Sequence, residues 1–315
     1  MEAAEAMGKL LSAVGGEARQ GCRRRQPASG AQRAIRVLSA RQARGTALQA
    51  VLSILVLVLG LCMITPFVFM LSASFKHPGL VFVEPLRIIP KVVFLGNFQR
   101  VFSDPLYPLW YWNSLRIVFL VIPLRGFVVS IAAYAFARLR FRGKNLLFLL
   151  FMATMMITPE ATLVPRYLLY KSIRLIDSQW AIIVPAVFDV FFLFMLRQFF
   201  MTIPRELTEA AYLDGYGHFR IYWRIVLPLA KPALVTMALF TFIWIWNDYA
   251  NPFVFINSMK KQLITTGLQF FQSREGANYA LQMAGATFAV IPTVILFAFT
   301  QRYFVQGIAT SGIKG

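Results

Sequence analysis

Acidic side chains are scarce in this chain of 315 residues. Thirteen Asp and Glu stand against thirty-two Lys and Arg, and charged residues of both signs make up only 14%. A soluble domain uses about 25% charged residues to wet its surface, so the composition excludes an ordinary water-soluble fold. Cysteine and histidine are nearly missing, with two of each. Cys22 lies in a basic stretch and Cys62 in an apolar run, so they fall in different phases and no disulfide is expected. No CxxC or Cys/His cluster offers metal ligands, and His77 and His218, far apart, read as loop or surface histidines. The HExxH, GxSxG and GxxxxGK(S/T) signatures are absent, which removes the metalloprotease, serine-hydrolase and P-loop ATPase classes. No catalytic residue and no metal site are therefore expected.

What is present is apolar. Hydrophobic residues reach 58% and the mean hydropathy is +0.62. Six apolar runs follow one another at about 48–71, 112–137, 145–168, 180–200, 232–256 and 281–304. Each is long enough to cross a hydrocarbon core of about 30 Å as a helix. Continuous apolar runs favour helices over strands, because a helix satisfies its own backbone groups in lipid. The spacing predicts an all-α membrane protein with six transmembrane helices. Pro66, Pro123, Pro159, Pro165, Pro185 and Pro292 interrupt the runs and predict kinks packed against neighbouring helices.

The basic excess, +19 in net charge, sits mostly between the apolar runs. That distribution argues against nucleic acid and for the positive-inside rule. With the N-terminus inside, twenty Lys and Arg fall in the tail, in 138–144, in 197–231 and at the C-terminus, against nine on the opposite side. The expected topology is N-in and C-in. Residues 1–46 are rich in Arg, Ala, Gly and Gln and read as a mostly disordered cytoplasmic tail, not a signal peptide. Residues 47–315 form the membrane domain. The long outer loop at 72–111 is expected to hold short interfacial elements, with Trp110, Tyr111 and Trp112 in the headgroup belt.

Two sets of polar residues stand out. Arg125, Glu160, Asp189 and Asp248 lie in or beside spans, where ionisable groups face the bundle interior or a water-filled path. Arg125 and Glu160 are candidates for a pair across helices. Trp244, Asn247, Asp248 and Tyr249, with Trp246, form an aromatic and polar cluster suited to a translocation path; a packing cluster with Asn247 bonded to a neighbouring helix is the other reading. The second set is the cytoplasmic connection at about 201–231. Pro204, Glu206 and Glu209 suit the start of a helix, and Gly215 suits its end by a positive φ. A second short helix is expected from about Gly217 to Arg224, with Leu227-Pro228 and Lys231-Pro232 stopping it and restarting the chain as the fifth span. Positions 207, 210, 211 and 214 share one helical face, Leu, Ala, Ala and Asp. With Tyr212, Tyr216, Phe219 and Trp223 around it, this face is either a protein interface or a helix packed on its own membrane domain.

The same residues carry a family resemblance. Glu209-Ala210-Ala211, three residues, Gly215, nine residues, Ile225, one residue, and Leu227-Pro228 reproduce the EAA signature of ABC importer permeases. Asn113-Ser114, Ala133–Arg138, Phe141–Lys144, Arg197–Phe200, Trp246-Asn247, Gln301–Gly307 and Lys314-Gly315 extend it over about 65–315. Together they resemble the carbohydrate-importer permeases, in particular the second permease of the maltose-type system.

The resemblance implies a coupling helix between the fourth and fifth spans that seats in a cleft of a cytoplasmic ATPase. Glu209 would pair with a basic residue there, Ala210, Ala211 and Asp214 would make close contact, Gly215 would make the turn, and Ile225, Leu227 and Pro228 would complete the loop. It also implies a bacterial inner-membrane subunit that is not an enzyme and binds no cofactor, with ATP and Mg on a partner ATPase dimer. The other implied partners are a second homologous permease, an extracytoplasmic substrate-binding protein and the lipid bilayer. An ion-driven secondary transporter is the competing class; it predicts an internal repeat, and none is evident in the sequence.

Overall fold

The computed structural model describes residues 29–83, 87–274 and 278–311, with side chains over 49–83, 87–271 and 278–301. Among the described residues are thirteen α-helices of four residues or more: α1 Ser29–Ser74, α2 Gly96–Ser103, α3 Leu106–Arg138, α4 Lys144–Thr154, α5 Leu163–Ser172, α6 Trp180–Val187 and α7 Val190–Thr202. They continue with α8 Arg205–Leu213, α9 His218–Ile221, α10 Lys231–Trp246, α11 Ala250–Phe255, α12 Ile264–Arg274 and α13 Tyr279–Ser311. Four segments are long and apolar enough to cross a membrane, Gln49–Ser74, Leu106–Arg138, Trp180–Thr202 and Tyr279–Gln301. The number rises to six if each of two sharply bent helix pairs counts as one span.

The chain divides into two compact units, residues 1–66 and 67–315. In the first, α1 starts at Ser29, so the part of the expected disordered tail from 29 to 46 is helical. Its Ala, Arg, Gln and Leu residues are strong helix formers. Residues 1–28 lie outside the described residues, as do Lys314 and Gly315. The apolar side chains from Val51 to Ile64 are exposed, the pattern of a lipid-facing helix.

In the second unit α3 is the central strut, packed against α6, α7, α10 and α12. Its first half joins one core of Trp110, Ile117, Val121, Ile182, Phe242, Trp246 and Ile264. Its second half joins another of Val129, Tyr134, Phe192, Leu196, Phe200, Ile221 and Met237. The interfacial position expected for Trp110 is corrected. Its ring is fully buried and its Nε1 donates to the Met259 carbonyl at 2.7 Å, while Trp112 is exposed. Asn113 and Ser114 clamp the same loop. Asn113 donates to the carbonyls of Lys260 and Gln262 at 2.9 and 3.0 Å, and the Ser114 hydroxyl accepts from the Ile264 N–H.

Three expected spans are not continuous helices. The run 145–168 breaks into α4 and a second piece, Pro159–Ser172, bent by 92°. Pro159 opens a 3₁₀ turn through Thr162, because its ring cannot continue the helix of α4. The run 180–200 breaks at Phe188 and Asp189, both extended, and the Asp189 carboxylate caps α7 by accepting from Phe191 N–H at 2.9 Å. The run 232–256 stops at Trp246 and resumes as α11, separated by Asn247–Tyr249.

Candidate functional site

Helix α8 begins after Pro204, which takes the N-cap position with an extended ψ of 137°. It ends in a double hydrogen-bonded turn. The Tyr216 N–H reaches the Ala211 carbonyl at 2.9 Å and the Gly215 N–H the Tyr212 carbonyl at 3.0 Å. That arrangement requires a left-handed residue after the helix, and Gly215 supplies it with φ +79°. The Tyr212 hydroxyl then bonds the His218 ring across the turn.

The chain next forms a single rod, α9, a π-turn at Tyr222–Val226 and a last turn at Leu227–Leu229. The expected stop at Leu227-Pro228 is corrected. The Leu227 N–H reaches back to the Tyr222 carbonyl, and that wide turn accommodates a proline that cannot donate. The rod ends at Ala230, beside the other expected stop, Lys231-Pro232, where a bend of 76° leads into α10.

Burial splits the motif. Ala211 is 5% exposed and joins Thr208, Ile221, Tyr222 and Val226 against the chain's own core. Glu206, Glu209, Ala210 and Leu213 face outward, at i, i+3, i+4 and i+7 spacing. Of the expected face at 207, 210, 211 and 214, Leu207, Ala210 and Asp214 are exposed and only Ala211 is turned inward. Of the two alanines, only Ala210 is free to meet a partner. Leu213, 90% exposed, was missed by the sequence reading. Its signal was the heptad spacing from Glu206. Asp214, Gly215 and Pro228 are exposed, whereas Ile225 and Leu227 are half-buried against the core, with Phe219 and Trp223 exposed beside them. One face of the loop packs on the chain's own domain and the other is open to solvent.

The loop is tied to the membrane helices. Tyr222 and Ser130 share a buried hydroxyl–hydroxyl hydrogen bond of 2.7 Å, joining the rod to α3. Arg138, the last residue of α3, donates to the carbonyls of Phe200 and Ile203 at 2.7 and 2.5 Å. It thereby satisfies the end of α7, where carbonyls lose their helical partners. Lys144 caps α3 itself by donating to the Leu139 carbonyl at 2.9 Å.

The second candidate set straddles the break after α10. Trp244 is exposed on one side and packs on Phe192 with ring centroids 5.0 Å apart. Asn247, exposed, donates to the Ile243 carbonyl of its own helix rather than to a neighbour. Asp248 accepts from the Asn251 N–H and side-chain amide at 3.1 and 2.7 Å, and Arg166 donates to the Asn251 side-chain oxygen Oδ1 at 2.8 Å. The Tyr249 hydroxyl donates to Gln269 at 2.7 Å. Trp246 is buried and donates to the Ala289 carbonyl. Arg125 and Glu160 do not meet: Arg125 donates to the Ala186 carbonyl and the Thr241 hydroxyl, and Glu160 is exposed.

The model of the "Binding-protein-dependent transport system inner membrane component" family matches residues 126–310. The chain is 36% identical over 225 residues to the maltodextrin transport system permease protein MdxG of Bacillus subtilis, covering 70% of this chain and 81% of that protein. It is 33% identical over 231 residues to the arabinooligosaccharides transport system permease protein AraQ of the same species, covering 73% and 82%. Among solved structures, a crystal structure of a bacterial ABC transporter involved in the import of the acidic polysaccharide alginate contains a similarly folded chain. The TM-score is 0.74 at 24% identity, over 82% of this chain and 97% of that one.

Proposed function

The chain belongs to the family of binding-protein-dependent transport system inner membrane components, and on that premise we propose that it is one permease subunit of an ATP-driven importer for a sugar or oligosaccharide. Relatives named for maltodextrin and arabinooligosaccharide transport support the cargo class. The chain is a multi-pass protein of the inner membrane. In our reading it crosses six times with both termini inside, each bent pair counting as one crossing, and the membrane domain occupies 47–315 after a basic tail at 1–46.

The observation that carries the coupling assignment is the two-faced α8. Thr208 and Ala211 anchor it in the chain's own core, while Glu206, Glu209, Ala210 and Leu213 stay open beside the Gly215 turn. A cytoplasmic ATPase dimer that binds ATP and Mg docks on the open face, with Glu209 meeting a basic residue. A push on α8 passes through Tyr222–Ser130 and Arg138 to α3 and α7, so ATP shifts the population between two arrangements of the spans through differential contacts. A second permease completes the path, a binding protein delivers cargo from outside, and this chain hydrolyses nothing. Trp244, Asn247, Asp248 and Tyr249 line this half of the path, three of them exposed and Asp248 held by Asn251.

The test is reconstitution with the ATPase and the second permease in vesicles, measuring sugar uptake and ATP hydrolysis together. Glu209→Lys is expected to insert normally yet lose ATPase association or uncouple hydrolysis from uptake. Unchanged uptake in that variant would overturn the coupling role. Ion-driven uptake by this chain alone would overturn the permease reading.

A further inference from the structure

A cavity of about 490 Å³ opens between the end of α3, the start of α4 and the side of α8 that carries Arg205, Thr208, Glu209 and Tyr212. Four cations line it, Arg138, Arg140, Lys144 and Arg205, beside the Tyr212 hydroxyl. Glu209 is the one carboxylate in the lining. Among the described residues, the ion pair found is Lys261 with Asp177, far from this cavity in sequence, so Glu209 neutralises none of the four by direct contact. Arg138 spends Nη2 on the α7 carbonyls, and its Nε is buried with no hydrogen-bond partner. Four cations against one carboxylate repel one another. An anion with several oxygens that enters the cavity relieves that repulsion. Guanidinium forks and an ammonium are the groups that bind phosphoryl oxygens best, and the volume suits a small anionic ester. Beside the cavity, α4 exposes Leu146, Leu147, Leu149 and Leu150, a surface along which acyl chains can lie.

We propose that this cavity is a phosphoryl-anion site joining α3, α4 and α8, filled by the phosphate of an anionic lipid headgroup or by a free phosphate. Bound there, the anion cross-links the outer part of α8 to the ends of two membrane helices and makes them move together. The binding itself stands on the cavity alone; its effect on coupling rests on the permease reading, and hydrolysis measurements, not binding measurements, test that part.

The experiment uses the full chain in phosphatidylcholine nanodiscs, with phosphatidylglycerol or inorganic phosphate as the probe, read by thermal midpoint and by native mass spectrometry. One probe is expected to raise the midpoint of the unaltered chain. Arg140→Gln with Arg205→Gln is expected to weaken that response about tenfold, whereas Arg142→Gln with Arg224→Gln, outside the lining, retains it. Glu209→Gln, which removes the only carboxylate of the lining, is expected to tighten binding several-fold. Response to phosphatidylglycerol alone identifies the lipid as source, and response to inorganic phosphate identifies the soluble anion. No response to either probe, or equal responses in both double variants with Glu209→Gln unchanged, overturns the site.

Discussion

The Nε hydrogen of Arg125 is donated to the carbonyl oxygen of Ala186 at 2.6 Å. In an unbroken helix that carbonyl would accept from the N–H of Val190, but Phe188 and Asp189 are extended and the helical bond is lost. At membrane depth no water replaces it. Arg125, 5% exposed, supplies the missing donor, gives a second hydrogen to the Thr241 hydroxyl at 3.0 Å and rests over the Phe192 ring. It stands where the two halves of the core meet along α3, between Val121 and Val129. One cation therefore joins α3, the broken α6–α7 span and α10.

Arg125→Met removes donors and a buried charge together, and those effects oppose each other in global stability. Local opening at the break has a single sign. Amide exchange of residues 188–192 is expected to rise about tenfold, the equivalent of one lost hydrogen bond, by hydrogen-exchange mass spectrometry. Unchanged exchange would mean that the Asp189 cap alone holds the break.

Asn113→Ala releases two backbone carbonyls of the 259–264 loop. A loss of about 1–3 kcal/mol is expected in thermal unfolding. Asn113→Asp should be worse than alanine, since an ionised carboxylate has no hydrogen to give and faces two carbonyl oxygens.

A methyl group on Gly267 would sit 2.3 Å from the buried Trp110 ring. Gly267→Ala is expected to cost about 1–3 kcal/mol through overpacking. Adding Trp110→Leu should recover part of that loss, and strict additivity of the two changes would refute the close approach.

Gly215 has open space around its α-carbon, so its constraint is the backbone and not crowding. Gly215→Leu is expected to cost about 1–2 kcal/mol for the left-handed conformation and to weaken ATPase capture. Gly215→Asn, tolerated in that region, should retain most of it. Equal capture by both variants would show that the turn does not set the docking face.

The Asp177 carboxylate accepts from the N–H groups of Asn257 and Ser258, the Ser258 hydroxyl and the Lys261 ammonium. Partial burial raises its pKa, but those four bonds outweigh burial and hold the carboxyl well below the ordinary carboxylate range. Because the folded value lies below the unfolded value of about 4, the latch contributes fully above that pH and is lost only as pH falls through the folded value. Exchange protection of the Asn257 and Ser258 amides should hold from pH 7 down to about 4 and fall at pH 7 in Asp177→Asn. Protection lost between pH 7 and 5 would contradict this.

The apolar runs, the Gly215 turn and the start of α8 were legible in the sequence, because each depends on residues within a few positions: run length, a glycine's freedom at positive φ, a proline before the first turn. The order of elements followed from the same local rules. Helix breaks were legible only as prolines. Their positions at 155–158 and 188–189 depend on which neighbour, such as Arg125, is present to satisfy the opened backbone.

The face of α8 shows the division most clearly. Spacing alone determined that Glu209, Ala210 and Ala211 lie side by side on a helix. Which of them remains open was decided by where α3 and the Tyr222 rod pack, and that turned Ala211 inward and Leu213 outward. Periodicity defines a helix's faces relative to one another; only long-range packing chooses the one that loses water.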